Sequence, residues 1–242
     1  RPMTTSDESD LVANLIGGER RPASDGATFE RRDPADRRRV VSTAPESTEA
    51  DVTAAVDAAR DAAADWAATP AERRAALLEA AADRLVERRD ELAAAMVAEM
   101  GKPIGAATVE SGRTPQNLRL YAAEAIRLTG VTYPSAEPGT VVYSVRDPVG
   151  VVAVITPWNF PFNLASRKIG PALAAGNTVV FKPSPMTPRC GELLGAAFVD
   201  AGFPAGVVNV VHGDAAGRRL VADGRVAAIT FTGSTATGAR IH

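Results

Sequence analysis

Four short segments that are apolar along their whole length alternate with helix-like segments between residues 149 and 234. The predicted strands are residues 149–155, 178–182, 207–211 and 226–231. A helix is predicted after each strand, and Gly176 and Gly202 are predicted to end the first two helices. Apolar strands separated by helices are typical of a parallel sheet that is covered on both faces. The sequence therefore predicts a doubly wound, Rossmann-like α/β fold, in which ligands bind at the carboxyl ends of the strands.

The residues before this region divide into segments of different character. Residues 1–46 carry scattered glycine, proline and serine and are predicted to be a loop-rich N-terminal segment. Residues 47–135 are predicted to be helical, and residues 136–149 to contain a strand at 141–145 followed by a bend at Pro148. Residues 150–242 then make up the parallel α/β region, where we expect a ligand to bind.

Capping and stop signals divide the helical segment into three tracts. Thr48 begins the first, because it forms a capping box with the acidic residue three positions later. Thr69, followed by a proline, is predicted to cap the second tract, which should end at Gly101 after a break near Arg89 and Asp90. The third tract is predicted over residues 106–128, with Gly130 as its stop.

Composition limits the classes of partner. With 27 basic and 29 acidic residues, the chain has a formal charge of -2 and no field that would attract nucleic acid or an anionic membrane. No apolar run approaches the ~20 residues of a membrane span, and residues 1–10 do not resemble a signal peptide. The only cysteine, Cys190, allows no internal disulfide and suits the cytoplasm, where we expect the protein to lie. His212 has no histidine or cysteine near it in sequence, so we expect a loop or cofactor-rim residue and no metal site.

The loops that follow the predicted strands should lie along one edge of the sheet. They are residues 156–161, 182–185, 212–217 and 231–238. Gly233 and Ser234, at a helix start, could present amide hydrogens and a hydroxyl group to a phosphate. Lys182, at a strand end, could pair with a phosphate or bond to a sugar hydroxyl. Taken singly, each signal also fits an ordinary turn or a solvated lysine.

Several ordered motifs are more specific than any single loop. They are Glu99-Met100-Gly101-Lys102-Pro103, Pro157-Trp158-Asn159-Phe160-Pro161, Pro171-Ala172-Leu173-Ala174-Ala175-Gly176-Asn177, Phe181-Lys182-Pro183-Ser184 and Phe231-Thr232-Gly233-Ser234. Together they resemble the amino-terminal half of the NAD(P)-dependent aldehyde dehydrogenases, and the resemblance extends from about Asn14 onward. It implies an aldehyde dehydrogenase-like fold with N-terminal helices and a small β-hairpin around Pro148. In the family this hairpin contributes to subunit association, so a homo-oligomer is expected of the complete protein.

The resemblance also implies roles for individual residues. Asn159 matches the asparagine whose side-chain amide binds the oxyanion of the thiohemiacetal. Lys182 matches the lysine at the adenosine ribose. Trp158 and Ser234 match positions at the cofactor pyrophosphate, and Thr156 and Pro157 line the nicotinamide side. The remaining cofactor-loop positions are Ser184, Phe231 and Thr232, together with Gly213, Gly217, Gly233 and Gly238, which let the backbone approach the dinucleotide or let helices pack.

Two residues bear on cofactor and substrate choice. Many NAD-preferring members carry a glutamate three residues after the lysine, and Pro185 stands there in this chain. Because a carboxylate would repel a 2′-phosphate, its absence implies that NADP is accepted at least as well as NAD. Arg167 resembles an arginine of succinate-semialdehyde dehydrogenases that pairs with the distal carboxylate of the substrate, which implies a carboxylated semialdehyde. A structural salt bridge or a surface cation is the alternative.

Two functions are therefore compatible with the sequence. In the family, a cysteine nucleophile and a glutamate that activates water lie in the part of the pattern beyond His242. The first reading is a truncated aldehyde dehydrogenase that lacks its catalytic domain and is inactive in isolation. Cys190 is expected to be structural, because it falls in the first turn of a predicted helix. The second reading is a catalytically inert dinucleotide-binding or scaffolding module.

Overall fold

The computed structural model describes residues 11–241. Residues 1–10, on which the expected absence of a signal peptide rests, lie outside this range, as does His242. The strands are β1 (Asn14–Ile16), β2 (Glu19–Arg21), β3 (Thr28–Arg32), β4 (Val40–Pro45), β5 (Thr132–Tyr133), β6 (Val142–Tyr143), β7 (Val151–Ile155), β8 (Thr178–Lys182), β9 (Val208–Val210) and β10 (Ala228–Phe231). The helices are α1 (Glu49–Ala68), α2 (Ala71–Glu87), α3 (Arg89–Met100), α4 (Ile104–Ile126), α5 (Asn163–Ala174), α6 (Pro188–Asp200), α7 (Asp214–Ala222) and α8 (Thr235–Ile241).

The main sheet has six strands in the order β10-β7-β8-β9-β1-β2. Strands β10, β7, β8 and β9 are parallel to one another. At one edge, β1 pairs antiparallel with β9 on one side and with β2 on the other. The predicted doubly wound α/β architecture is confirmed, but the sheet is mixed rather than wholly parallel. Between residues 11 and 241, no helix has both the length and the apolar character needed to cross a membrane.

The buried strand β7 shows how both faces of the sheet are covered. Val152 and Val154 pack into a cluster that includes residues of α2 to α6. Val151 and Ala153 pack into a second cluster, with residues of α1 and α7. Successive side chains of a strand point to opposite faces, so an uninterrupted apolar strand requires helices on both sides.

The N-terminal segment is more ordered than its composition predicts. Four short strands, β1 to β4, lie between residues 14 and 45. Leu15 of β1 pairs with Val210 of β9, which joins this segment to the main sheet. The sequence gives little sign of this, because β1 and β2 have three residues each and all residues of β2 are exposed. The division of the chain at residues 46, 135 and 149 stays a prediction.

The helical signals were partly correct. The capping box of Thr48 and Asp51 is present at the start of α1, and Gly101 ends α3 in the left-handed conformation that favours glycine. Thr69 does not cap α2, because its hydroxyl donates back to the carbonyl oxygen of Asp65 (2.9 Å). Helix α4 ends at Ile126, before the predicted stop at Gly130.

The predicted strand at 141–145 is shorter than expected. Only Val142 and Tyr143 form β6, which pairs antiparallel with Thr132 and Tyr133 of β5. The hairpin therefore begins before residue 136. Its apolar side chains, including Val141, are exposed.

Candidate functional site

The predicted loops meet along one edge of the sheet because their strands are neighbours. Ile155, the last residue of β7, pairs with Lys182 at the end of β8 and with Phe231 at the end of β10. The ladder continues into the loops, since the Thr156 amide lies 3.4 Å from the Lys182 carbonyl oxygen and the Thr232 amide 3.1 Å from that of Ile155. The three loops that follow β7, β8 and β10 thus begin side by side.

A cavity of about 660 Å³ lies between α7 and α8 at this edge. Its lining residues are Ile155, Lys182, Asp214, Gly217, Arg218, Val221, Thr237, Arg240 and Ile241. Burial lowers the pKa of the Lys182 ammonium group, and the charges of Asp214 and Glu46 oppose this shift. A Cβ atom on Gly217 would lie 3.2 Å from Cδ of Lys182, so glycine keeps the cavity wall open at that point.

An open groove of about 490 Å³ lies along another face of α8. It is lined by Phe231, Thr232, Gly233, Ser234, Thr235, Gly238 and Ala239. The Ser234 hydroxyl oxygen accepts a hydrogen bond from the Thr237 amide (3.2 Å) at the start of α8. A Cβ atom on Gly233 would lie 2.3 Å from the ring of Phe231, so no larger residue fits there without a rearrangement.

The loop between β7 and α5 carries Trp158 and Asn159, which are both exposed and line neither cavity. The Lys102 ammonium donates to the Asn159 carbonyl oxygen (2.7 Å) and pairs with the Glu110 carboxylate. Sequence reasoning missed this pair, because Lys102 was assigned to the helix stop before α4 and to a family motif, without a role of its own. The lysine in the motif was a usable signal, whereas Glu110 carried none.

The remaining residues of the β8 loop have structural contacts. The Ser184 hydroxyl oxygen accepts from the Met186 amide (3.2 Å), as in a turn. Pro185 is half-buried, and neither Ser184 nor Pro185 lines the cavity beside Lys182. Gly213 has φ of 93°, and a Cβ atom there would lie 2.6 Å from Oε1 of Glu46, so the close approach of this carboxylate requires glycine.

Helices α5, α6 and α7 each meet a glutamate at their N-terminus. Oε1 of Glu110 accepts from the Phe162 and Asn163 amides (3.1 Å each), and Glu46 accepts from the Asp214 amide (3.0 Å). Glu99 accepts from the amides of Arg189 (2.7 Å) and Cys190 (3.1 Å) at the start of α6. These carboxylates satisfy amides that a helix leaves free and face the positive end of its dipole.

Two further candidate groups are enclosed. Burial lowers the pKa of His212 to about 3, and its Nε2 lies 3.1 Å from the Ala13 carbonyl oxygen. Burial and the nearby Glu99 raise the pKa of the Cys190 thiol well above its usual value. Neither group is suited to act as a base or nucleophile at neutral pH. The part of the chain that the structure describes holds no group of three or more His, Cys, Asp or Glu side chains placed to bind a metal.

Arg167 lies exposed in the second turn of α5, the helix that follows the loop of Asn159. Within residues 11–241 it forms no salt bridge. The structural ion pair that was the alternative for Arg167 is therefore absent from this range, and a surface cation or a substrate contact remains.

Comparison with known proteins gives consistent matches over most of the chain. The family model described as the aldehyde dehydrogenase family matches residues 21–242. The chain is 40% identical over 211 residues to a 2,5-dioxopentanoate dehydrogenase from Saccharolobus solfataricus, covering 86% of the chain and 44% of that protein. It is 38% identical over 239 residues to an alpha-ketoglutaric semialdehyde dehydrogenase from Bacillus subtilis, covering 98% of the chain and 49% of that protein. The chain thus spans about half the length of these curated relatives.

Solved structures agree. The NAD+ complex of an aldehyde dehydrogenase from Bacillus cereus matches with a TM-score of 0.92 and 39% sequence identity. That match covers 96% of this chain and 48% of the other. The predicted fold is confirmed by this match.

Proposed function

The chain belongs to the aldehyde dehydrogenase family, and we propose that it supplies the cofactor-binding part and the oxyanion donor of an enzyme that oxidises an aldehyde with NAD(P)+. The observation that carries the proposal is the shared end of β7, β8 and β10, where Ile155 pairs with both Lys182 and Phe231. This register brings together the loops whose motifs match the family. A cavity of about 660 Å³ opens beside Lys182 at the same edge.

The residues at this edge fit a dinucleotide. The cavity holds a buried ammonium group from Lys182, which would bond to the adenosine ribose, and Gly217 leaves its wall uncovered. We assign Trp158 and Ser234 to the pyrophosphate and Thr156 and Pro157 to the nicotinamide side. When bound, NAD(P)+ would supply the hydride acceptor. The protein side would bind the cofactor, orient it, and stabilise the oxyanion through the amide of Asn159.

NADP is expected to bind at least as well as NAD. Pro185 places no carboxylate after Lys182, and the cavity is also lined by the cationic Arg218 and Arg240. Asp214 is the acidic residue of the lining, and it faces Arg218 at 3.8 Å. The positive charges favour a 2′-phosphate, so titrations with both cofactors should show no strong discrimination against NADP.

We further propose a carboxylated semialdehyde as substrate. The two curated relatives described above carry names of such substrates. Arg167 is exposed on α5 and could form two parallel hydrogen bonds with a distal carboxylate. The cysteine nucleophile of the family mechanism has no counterpart in Cys190, whose thiol is buried.

The test is an assay of the full-length gene product that contains this sequence, with semialdehydes, unsubstituted aldehydes and either cofactor. We expect reduction of NADP+ or NAD+ with a semialdehyde of a dicarboxylic acid. Arg167→Ala should raise KM for that substrate about 10- to 100-fold, because a charged hydrogen bond to the carboxylate is lost. The KM for propanal, which has no carboxylate, should not change. An unchanged KM for the semialdehyde would refute the role of Arg167. Cofactor binding without turnover of any aldehyde would instead favour the inert-module alternative.

We propose that the complete protein is a homo-oligomer and uses the hairpin of β5 and β6. Val141, Tyr143 and Val145 expose 78%, 66% and 64% of their surface there. Sedimentation of the full-length gene product tests this. We expect the partners to be the cofactor, a small aldehyde and further copies of the same chain. The single cysteine suits the reducing cytoplasm, which is the location that we propose.

A further inference from the structure

Lys102 and Glu110 form an ion pair that is almost completely buried, with 8% and 3% of their surfaces exposed. Lys102 follows the glycine that ends α3, and Glu110 lies in the second turn of α4. A buried charge is costly unless it is paired and its remaining hydrogen-bonding capacity is used. The other groups that hydrogen-bond to Lys102 and Glu110 therefore indicate the structural role of the pair.

All of these further contacts fall on the loop between β7 and α5 or on the first residue of α5. Nζ of Lys102 lies 2.7 Å from the Asn159 carbonyl oxygen and 4.2 Å from the centroid of the Phe160 ring. Oε1 of Glu110 accepts from the amides of Phe162 and Asn163 (3.1 Å each). The pair thus holds this segment at Asn159 and again at the start of α5, while Trp158 and Phe160 are each 46% exposed.

We propose that Lys102 and Glu110 are positioning residues for the oxyanion donor Asn159, an inference that rests on the proposed function. The Lys102 contact holds the Asn159 carbonyl oxygen and so restrains the backbone that carries the side-chain amide. Small displacements of an oxyanion donor cost rate, because the donor must be directed at the developing charge before the reaction. Neither Lys102 nor Glu110 needs to touch the substrate or the cofactor.

The first test is a double-mutant cycle in the full-length gene product. Lys102→Met should lower kcat for a semialdehyde about tenfold or more. This is a part of the ~10²–10³-fold loss of kcat that follows removal of an oxyanion donor. The Kd for NADP should rise by a smaller factor than kcat falls, because the cavity beside Lys182 lies outside this loop. In an Asn159→Ala background the same substitution should hardly change kcat, because the group that it positions is already gone. An equal loss in both backgrounds would overturn the proposal.

Two further variants separate positioning from folding. The Lys102→Met variant leaves the Glu110 carboxylate buried without its partner and could fail to fold for that reason. Combining it with Glu110→Gln removes both charges and avoids this problem. This double variant should keep an unfolding midpoint near that of the wild type and still lose kcat. Arg113→Met removes a cation from an exposed position of the same helix and serves as the matched control. A double variant that folds and retains the wild-type kcat would contradict the proposal.

A second measurement needs no turnover and uses the 242-residue chain. Of its two tryptophans, Trp66 is 1% exposed and Trp158 is 46% exposed, so acrylamide quenches mainly Trp158. Trp158→Phe identifies that signal. Lys102→Met should raise the quenching constant, because the loop is released, and an unchanged constant would overturn the proposal. If the wild-type gene product oxidises no aldehyde, the proposed function fails, whereas the quenching result still reports on the anchoring of the loop.

Discussion

His212 is enclosed beside the start of β1, with 1% of its surface exposed. Its ring contacts the Ala13 carbonyl oxygen, its amide donates to the side chains of Asn14 (3.1 Å) and Ser47 (3.1 Å), and nearby Lys182 adds positive charge. A protonated imidazole would be poorly accommodated there. Burial therefore makes this residue a structural link and removes it from the chemistry of the site.

The pH dependence of stability should report this burial. His212 has its pKa lowered from 6.5 to about 3 in the folded chain, so below pH 6.5 the unfolded chain binds a proton that the folded chain does not. Its contribution to stability is full above pH 6.5 and falls as the pH drops towards 3, by up to ~1.4 kcal/mol per unit. Urea unfolding between these limits should show a flatter pH profile for His212→Gln than for the wild type. Parallel profiles would contradict the prediction.

Gly217 should affect cofactor affinity and stability in opposite directions. Gly217→Ala places a Cβ atom 3.2 Å from Cδ of Lys182, so the lysine must shift in the cavity wall. We expect Kd for NADP to rise about tenfold, which corresponds to a loss of ~1.4 kcal/mol from one charged hydrogen bond. Alanine should at the same time stabilise α7 by ~0.5–1 kcal/mol. Calorimetric titration and thermal unfolding measure the two effects. Gly224→Ala is the matched control, because a Cβ atom there meets nothing within 4 Å, and equal affinities of the two variants would refute the prediction.

At the scale of elements, helix starts depend on partners that are distant in sequence. Pro188 begins α6, but the preceding Thr187 makes no capping bond. The capping group is Glu99, the last but one residue of α3, which also accepts from the Ser42 hydroxyl (2.8 Å). Local signals such as the capping box at Thr48 are visible in sequence because both partners lie within four residues. A cap from another helix has no such signature.

Glu99→Gln should destabilise the fold without touching the site. The amide of glutamine can accept only one of the two backbone donors of α6 well, and its own NH₂ group faces amides that need acceptors. We expect a loss of about 1–3 kcal/mol in the free energy of unfolding. Glu87→Gln, on the exposed end of α2, should change it by less than ~0.5 kcal/mol. Equal unfolding midpoints in urea for the two variants would show that Glu99 does not cap α6.

At the scale of the whole molecule, the parallel strands bring the proposed cofactor loops to one edge of the sheet. They do not bring a cysteine nucleophile to that edge. Cys190 is the only cysteine of the 242 residues, and it lies buried beside Glu99. The chain offers the cavity beside Lys182 that we propose for the cofactor, but Cys190 supplies no thiolate at neutral pH, because its pKa is raised.

We therefore expect residues 1–242 by themselves to bind NADP and to oxidise no aldehyde. Equilibrium titration measures the first property, and formation of NADPH with a semialdehyde measures the second. Cys190→Ser should behave like the wild type in both assays. Cofactor-dependent turnover by the purified chain, lost in Cys190→Ser, would overturn this prediction.

The sequence by itself determined the order of strands and helices from residue 149 onward, because apolar continuity and glycine stops are local signals. It also placed Lys182 and Ile155 at strand ends, and β8 was predicted with the bounds that it has. Only the tertiary structure decided which distant groups meet. Strands β1 and β2 joined the sheet beside β9, and Glu46, Glu99 and Glu110 reached helix starts 52 or more residues away. Such contacts depend on burial and on a charge finding its partner across the fold, and no spacing along the chain records them.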